Sequence, residues 1–342
     1  MRDMQIRTAI LGASGFVGGE LLRLCAAHPF LRPAKLFGDS KAGQAVAEVH
    51  PHLALAYPGV AIEQFDAAAL DGVGLVFAAL PHGQTQAIAG SILDRGISFV
   101  DLGADFRLKD PAAYQQWYGE PHHAPELLER FVYGIPELHR DAIRGSGAVA
   151  AAGCYPTATI LALKPLVDAG LIEANSIVVD ASSGVSGAGR VAKEATAFNT
   201  IAESFAAYGL VSHRHTSEME AELGSTLLFT PHLAPMNRGI LATCYGRAAR
   251  PMRRDEPLEV LRAAYADEPF VHVTEQAPAT KWTLGSNAVQ VTARYDPRTE
   301  RVLAIAALDN LVKGAAGQMI QCANLMLGFE ETAGLPLCGV YP

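Results

Sequence analysis

Cys154 is the residue of this chain best placed to act as a nucleophile. It stands in residues 148–160 (AVAAAGCYPTATI), where an apolar, strand-like run ends at Gly153 and a helix is expected to begin. Pro156 suits the first turn of that helix, because a proline there gives up no hydrogen bond. A cysteine at a strand-to-helix junction faces unpaired backbone N–H groups and the positive end of the helix dipole. Both favour the thiolate, which is the nucleophilic form. The alternative is a structural cysteine, since the residue type is usually buried.

A second chemical cluster is His213-Arg214-His215, with Glu218 and Glu220 close behind. If the backbone is extended, His213 and His215 share a face, and a helix starting at Thr216 presents Glu218 separately. A metal pair is one reading, but no third ligand stands at a recognisable spacing. The other is general acid–base work by one histidine, with the arginine holding an anionic substrate. A third cluster is the glycine–serine loop 182–190, SSGVSGAGR, whose N–H groups, Ser183 hydroxyl and Arg190 can wrap an anion.

These groups need elements to position them. Residues 6–11 (IRTAIL) form a short apolar strand, followed by Gly12-Ala13-Ser14-Gly15-Phe16-Val17-Gly18-Gly19 and a helix carrying Leu21, Leu22, Leu24 and Cys25. Strand, glycine turn and helix open a dinucleotide-binding βαβ unit. The spacing is GxxGxxG, yet the physics is that of the familiar fingerprint: small residues admit a pyrophosphate to the helix N-terminus. After a second strand come Asp39, Ser40 and Lys41. An acid there suits a ribose 2′-OH, whereas Ser40 and Lys41 suit the 2′-phosphate of NADP, and Lys41 tips the reading to NADP(H). Residues 73–80 read as a parallel strand covered on both faces, closed by Pro81-His82-Gly83 at the end that faces a cofactor. Another strand, 97–102, leads to Asp105 and Arg107, which form an ion pair or orient substrate. Residues 110–140 look like an irregular excursion, with His122 and His123 at the surface. Beyond the Cys154 helix the segments are mostly β-rich and partly alternating, which predicts a mixed sheet.

Size and composition set the frame. At 342 residues two domains are expected; half the residues are apolar and 18% charged, as in a soluble enzyme. A net charge of −8 without a basic run argues against nucleic-acid binding. No run approaches the roughly 18 apolar residues of a membrane span. The N-terminus runs straight into a strand and so does not read as a signal peptide. Five scattered cysteines form neither a disulfide framework nor a metal pattern, and a cytoplasmic setting follows.

Taken in order, GASGFVGGELLRL, HPHL, LPHG, DLGADFRL, WYG, VYGIPEL, AGCYPTA, SSGVSGAGR, HRHTSEME, PHLAPMNRGI and DNLVKGAAGQMIQ resemble the N-acetyl-γ-glutamyl-phosphate reductases of arginine biosynthesis. The resemblance covers nearly the whole chain. It departs from the family pattern at Ser217, where proline is common, and in lacking an Asn-Pro pair before Gly153. The family is similar in fold and mechanism to aspartate-semialdehyde dehydrogenase.

The resemblance implies an α/β fold. A Rossmann-type NADP-binding domain would comprise residues 1–150 with 310–342, and an α+β catalytic and dimerisation domain with a mixed sheet residues 151–309. It implies a homodimer or homotetramer acting on a small acyl phosphate. Cys154 would accept the acyl group, and His213, or His215 in exchange, would relay protons. Glu218 would orient the histidine or bind the substrate amide. From their charge and polarity, rather than from the family motif, Arg107, Ser183, Arg190 and Arg214 are expected to hold substrate. Gly12, Ser14, Gly15, Phe16, Val17, Ser40, Lys41, Pro81, His82, Gly187 and Asn310 would hold the cofactor. Competing readings are a related reductase that acts on a carrier-bound acyl phosphate, aspartate-semialdehyde dehydrogenase itself, and an NADP-binding redox sensor without turnover.

Overall fold

The computed structural model describes residues 5–342; residues 1–4, which the expected first domain includes, lie outside it. The chain forms two compact units. One runs to Ala152 and takes in Ala315–Leu335; the other comprises Gly153–Gly314 and Pro336–Pro342. The expected partition gave all of 310–342 to the first unit. Instead Asn310–Gly314 and the last seven residues belong with the second. The tail is held there by backbone bonds: Asn287 N–H donates to the Pro336 carbonyl at 2.8 Å, and Val340 N–H to that of Leu284 at 2.7 Å.

In the first unit β1 (Ile6–Leu11), α1 (Phe16–Ala27) and β2 (Leu31–Phe37) are followed by the single turn α2 (Val46–Val49). Then come β3 (Leu75–Ala78), α3 (Gln86–Leu93), β4 (Ser98–Asp101), α4 (Pro111–Tyr118), β5 (Val132–Gly134), α5 (Pro136–Arg144) and β6 (Ala148–Ala151). The six strands make one sheet in the order β2-β1-β3-β4-β6-β5, and every pairing is parallel. Strands β3 and β6 are buried at every position, as their unbroken apolar runs require. Edge strand β2 carries Pro33, and the β1–β2 register shifts between Thr8 and Ala9 opposite that missing donor. The excursion 110–140 proves ordered. Asp110 accepts the Ala112 N–H at 2.8 Å to cap α4, Pro111 opens it, and Gly119 ends it at φ +78°. Strand β5, three residues long, is too short to show any period.

The second unit begins with α6 (Cys154–Asp168) and β7 (Ile177–Gly184), then α7 (Phe198–Ile201), β8 (Ala206–Ala207), α8 (His215–Leu223), β9 (Leu227–Ala234) and β10 (Ile240–Arg247). It continues through α9 (Glu256–Ala264), β11 (Val271–Val273), β12 (Val289–Asp296) and β13 (Arg301–Leu308). The sheet is mixed, in the order β11-β12-β13-β10-β7-β9-β8, with β7–β9 and β11–β12 parallel and the other pairs antiparallel. Helix α6 packs against β10, β12 and β13 and against α8 and α9. Its Pro165 has no N–H to offer the Leu161 carbonyl, and the buried Tyr265 hydroxyl donates to that carbonyl at 2.7 Å instead.

A π-helical turn, Val312–Ala316, leads into α10 (Gly317–Met326), which lies in the first unit against α5, β4 and β6. There Gln321 donates to Glu137 at 3.1 Å and Glu331 at 2.8 Å, and His28 meets Asn324 at 3.0 Å. Among the described residues no helix is long and apolar enough to cross a membrane.

Candidate active site

In the first unit the site starts where β1 ends. Gly12 takes φ +80°, and a Cβ there would stand 2.4 Å from the Ala79 carbonyl oxygen at the end of β3. The Gly12 and Ala13 N–H groups donate to Phe37 O at 3.0 and 2.8 Å, tying the loop to the end of β2. The loop therefore sits between the two neighbours of β1, where the strand order reverses and open parallel sheets bind ligands. A Cβ on Gly18 would meet the Gly12 oxygen at 2.3 Å, so α1 can lean on the loop only with a bare Cα there. Gly19 abuts the His50 ring, whose Nε2 lies 2.9 Å from the Ala13 carbonyl.

Gly15 caps α1 without a side-chain bond, and the first turn holds no acidic residue. These features fit the pyrophosphate of a dinucleotide: a cradle that any side chain would fill, opening onto the N-terminus of a twelve-residue helix. Ser14 and Val17 are half-buried and Phe16 is exposed. Ser40 and Lys41 stand exposed in the turn after β2, and Pro81 and His82 are exposed after β3.

Arg107, expected as a substrate ligand, donates through Nη2 to the Leu102 carbonyl at 2.6 Å. His122, expected at the surface, is buried, with Nε2 2.7 Å from the Asp105 carbonyl.

In the second unit Cys154 is the first residue of α6, capped by Gly153. The Gly153 N–H donates to Glu218 Oε2 at 3.0 Å, and Glu218 is buried. Helix α8 begins at His215, one residue before the expected start. That shift places His215 and Glu218 three apart on one helical face, so the carboxylate is not presented separately. His215 Nε2 lies 3.9 Å from Glu218 Oε1. One carboxylate therefore touches both the backbone that positions the thiol and an imidazole.

His213 is placed differently. The His215 backbone N–H donates to its Nδ1 at 3.2 Å, so that nitrogen carries no proton and Nε2 does. Burial, then the charge of Arg214, pull His213 down to about 4, so its ring is neutral near pH 7. Around it the rings of His215, Phe229, Tyr208 and Tyr155 stand at 4.8, 5.4, 5.5 and 5.7 Å. The Tyr208 hydroxyl donates to that of Tyr155 at 3.2 Å, and Tyr155 to the His232 carbonyl at 3.0 Å. A Cβ at Gly314 would meet Cys154 Cβ at 2.8 Å.

Ser183 is buried on β7, and a Cβ on Gly187 would stand 2.9 Å from its hydroxyl. Asn310 donates to Ser186 Oγ at 2.9 Å and accepts the Gly239 N–H at 2.7 Å, so its amide ties the loop 184–190 to the start of β10. Arg190 and Arg214 are exposed.

Known proteins align with the chain end to end. It is 47% identical to the N-acetyl-gamma-glutamyl-phosphate reductase of Desulforudis audaxviator, covering 98% of this chain and all of that one. It is equally similar, at 47%, to the enzyme so named in Rhodospirillum rubrum, with 99% of each chain covered. The chain belongs to the N-acetyl-gamma-glutamyl-phosphate reductase family. Two family models match this reductase-family chain: semialdehyde dehydrogenase, NAD binding domain, over residues 7–146, and semialdehyde dehydrogenase, dimerisation domain, over 154–310. Among solved structures it resembles aspartate semialdehyde dehydrogenase II of Vibrio cholerae (TM-score 0.71, 17% identity, 95% and 98% of the two chains). It also resembles the Candida albicans aspartate semialdehyde dehydrogenase solved with NADP (TM-score 0.69, 16% identity, 94% and 98%). At those identities the likeness is one of fold.

For this member of the reductase family, sequence reasoning missed four contributors: the Gly153 N–H, Gly314, His50 and the Tyr155–Tyr208 pair. Gly314 gave one signal, its place in the small-residue run KGAAG. His50 gave none.

Proposed function

We propose that this chain reduces N-acetyl-L-glutamyl 5-phosphate to N-acetyl-L-glutamate 5-semialdehyde and inorganic phosphate, using NADPH, in L-arginine biosynthesis. The observation that carries the reading is Cys154 at the start of α6, with Glu218 linking the Gly153 N–H to His215. Family membership supplies the substrate class.

The Cys154 thiolate attacks the acyl carbon. A carbon–sulfur bond forms, the carbon–oxygen bond to phosphate breaks, and phosphate leaves with that electron pair. When bound, NADPH supplies the hydride that reduces the resulting thioester. Gly12, Gly15 and the first turn of α1 would hold its pyrophosphate, and Ser40 and Lys41 its 2′-phosphate. His215, oriented by Glu218, moves the proton to and from the hemithioacetal oxygen. Collapse then breaks the carbon–sulfur bond, releases the aldehyde and returns the thiolate. We assign the proton relay to His215 rather than to His213, whose neutral ring offers an Nε2–H donor suited to hydrogen-bonding a developing oxyanion. Ser183, Arg190 and Arg214 are the groups we assign to the substrate's polar ends.

The test runs the reaction backwards. The semialdehyde should reduce NADP only when phosphate is present, and arsenate should replace phosphate, because either oxyanion can take the acyl group from sulfur. Oxidation that ignores both anions would defeat the thioacyl route. Activity confined to a carrier-bound acyl phosphate would move the chain to the neighbouring reductases.

We also infer a homo-oligomer, in the cytoplasm, assembled through the second sheet. Leu228, Val178, Tyr245 and Leu303 are neighbours across β9, β7, β10 and β13, and Tyr245 and Leu228 are exposed, so one face offers a continuous apolar row. Light scattering should give at least twice the chain mass. A Tyr245→Glu, Leu303→Glu variant should shift toward monomer, and an unchanged mass would rule this face out.

A further inference from the structure

The carboxyl end of β4 carries a pair of buried acids that the reaction above does not use. Asp101 ends the strand and Asp105 follows in the next loop, both fully buried. Asp105 gathers the backbone of the turn after β3. Gly83 N–H donates to its Oδ1 at 2.6 Å, and Thr85 and Gln86 N–H groups donate to its Oδ2 at 3.0 and 3.3 Å. Three donors satisfy an ionised carboxylate.

Asp101 is served on one oxygen only. The Thr85 hydroxyl and the Gly103 N–H both donate to Oδ1 at 3.0 Å, whereas Oδ2 has no partner among the described residues. Thr85 thus joins the two acids, its N–H on one and its hydroxyl on the other. A charge on Asp101 would leave a bare buried ionic oxygen beside a second carboxylate, which costs more than the neutral acid with one unpartnered O–H. Burial, then the nearby charge of Asp105, push Asp101 up to about 7, against the pull of the Gly103 N–H, Arg107 and Thr85.

The turn that this pair anchors continues from Ala79, whose carbonyl oxygen confronts Gly12. The acids and the dinucleotide loop therefore share the end of β3. We propose that Asp101 is a positioning residue for the dinucleotide, standing protonated beneath the 81–86 turn, and that loss of this proton loosens the turn and weakens NADPH binding. The proposal rests on the dinucleotide reading of the first unit.

The strand neighbours of Asp101, Ala78 and Ala150, bring no charge, so the charged groups facing it are Asp105 and Arg107. Next to Asp105 stand His122, kept below its ordinary range by burial, and Tyr114, pushed up by burial to about 12. Both stay neutral through the range that matters. The sign follows: the bound state needs the proton, so affinity is full below about pH 7 and falls as pH rises through it.

The experiment is NADPH binding to the full chain, followed by nucleotide fluorescence at about pH 6.5 and about pH 8.5. The wild-type dissociation constant should rise about tenfold between the two. Asp101→Asn, neutral throughout, should change only by the 2′-phosphate's own titration, which both proteins share. Parallel profiles for the two proteins would overturn the proposal alone. No NADPH binding by the wild type at either pH would overturn the dinucleotide reading and the proposal with it. An infrared readout needs no nucleotide. The wild type should show a protonated-carboxyl band at the lower pH that is missing from Asp101→Asn, and its absence from the wild type also overturns the proposal.

Discussion

Replacing Cys154 with alanine should lower phosphate-dependent turnover by at least about 10⁴-fold, the scale seen when a covalent catalyst loses its nucleophile. NADPH affinity should stay within about twofold, because the cradle of Gly12, Gly15 and Gly18 belongs to the other unit. Cys154→Ser is the sharper variant. Its hydroxyl occupies nearly the same volume but stays protonated near pH 7, and an alkoxide would be a poor leaving group from the corresponding hemiacetal. It should be almost as inactive as the alanine variant while keeping the wild-type melting temperature. A serine variant with more than a few per cent of wild-type turnover would show that the sulfur is not the acyl acceptor.

The second large effect belongs to Glu218. Glu218→Ala removes the acceptor of the Gly153 N–H and the carboxylate beside His215 in one step. The unpaired buried N–H should cost about 1–3 kcal/mol of stability. Loss of an oriented proton-transfer group should cost about 10²–10³-fold in kcat. Glu218→Gln separates the two roles. Its amide oxygen can still accept from Gly153, so stability should recover most of the loss. The carboxylate beside His215 is gone, so kcat should stay low. Full recovery of turnover in the glutamine variant would reduce Glu218 to a backbone clamp.

Much of this was legible in the chain. The strand–glycine–helix start of the first unit needs one short apolar run and small residues at fixed spacing, and both survive in GASGFVGG. Cys154 was legible because Gly153 and Pro156 mark a helix start around it. The histidine cluster was visible, but its internal order was not. Whether α8 starts at His215 or Thr216 is a one-residue matter that decides which side chains share a face, and helix ends are where sequence signals are weakest. Other parts left no local trace. Glu218 reaches Gly153 across 65 residues. Gly314 backs Cys154 from the far end of the unit, and Asp101 looks like any residue closing a strand. Contacts of that kind are set by tertiary packing, which a pattern in one segment cannot encode.

The division of the chain has a consequence for synthesis. The first unit is not complete until α10 is made, because Gln321 and Asn324 hold Glu137, Glu331 and His28 within it. Domains usually fold in the order in which they leave the ribosome. Here the order is inverted: every strand of the second sheet has emerged before the earlier unit receives its last helix. A nonsense mutation just after Gly314 would therefore keep every strand of that sheet, losing only its Pro336–Pro342 tail, while the parallel one loses α10, so damage at the end of the gene reaches the fold at its beginning.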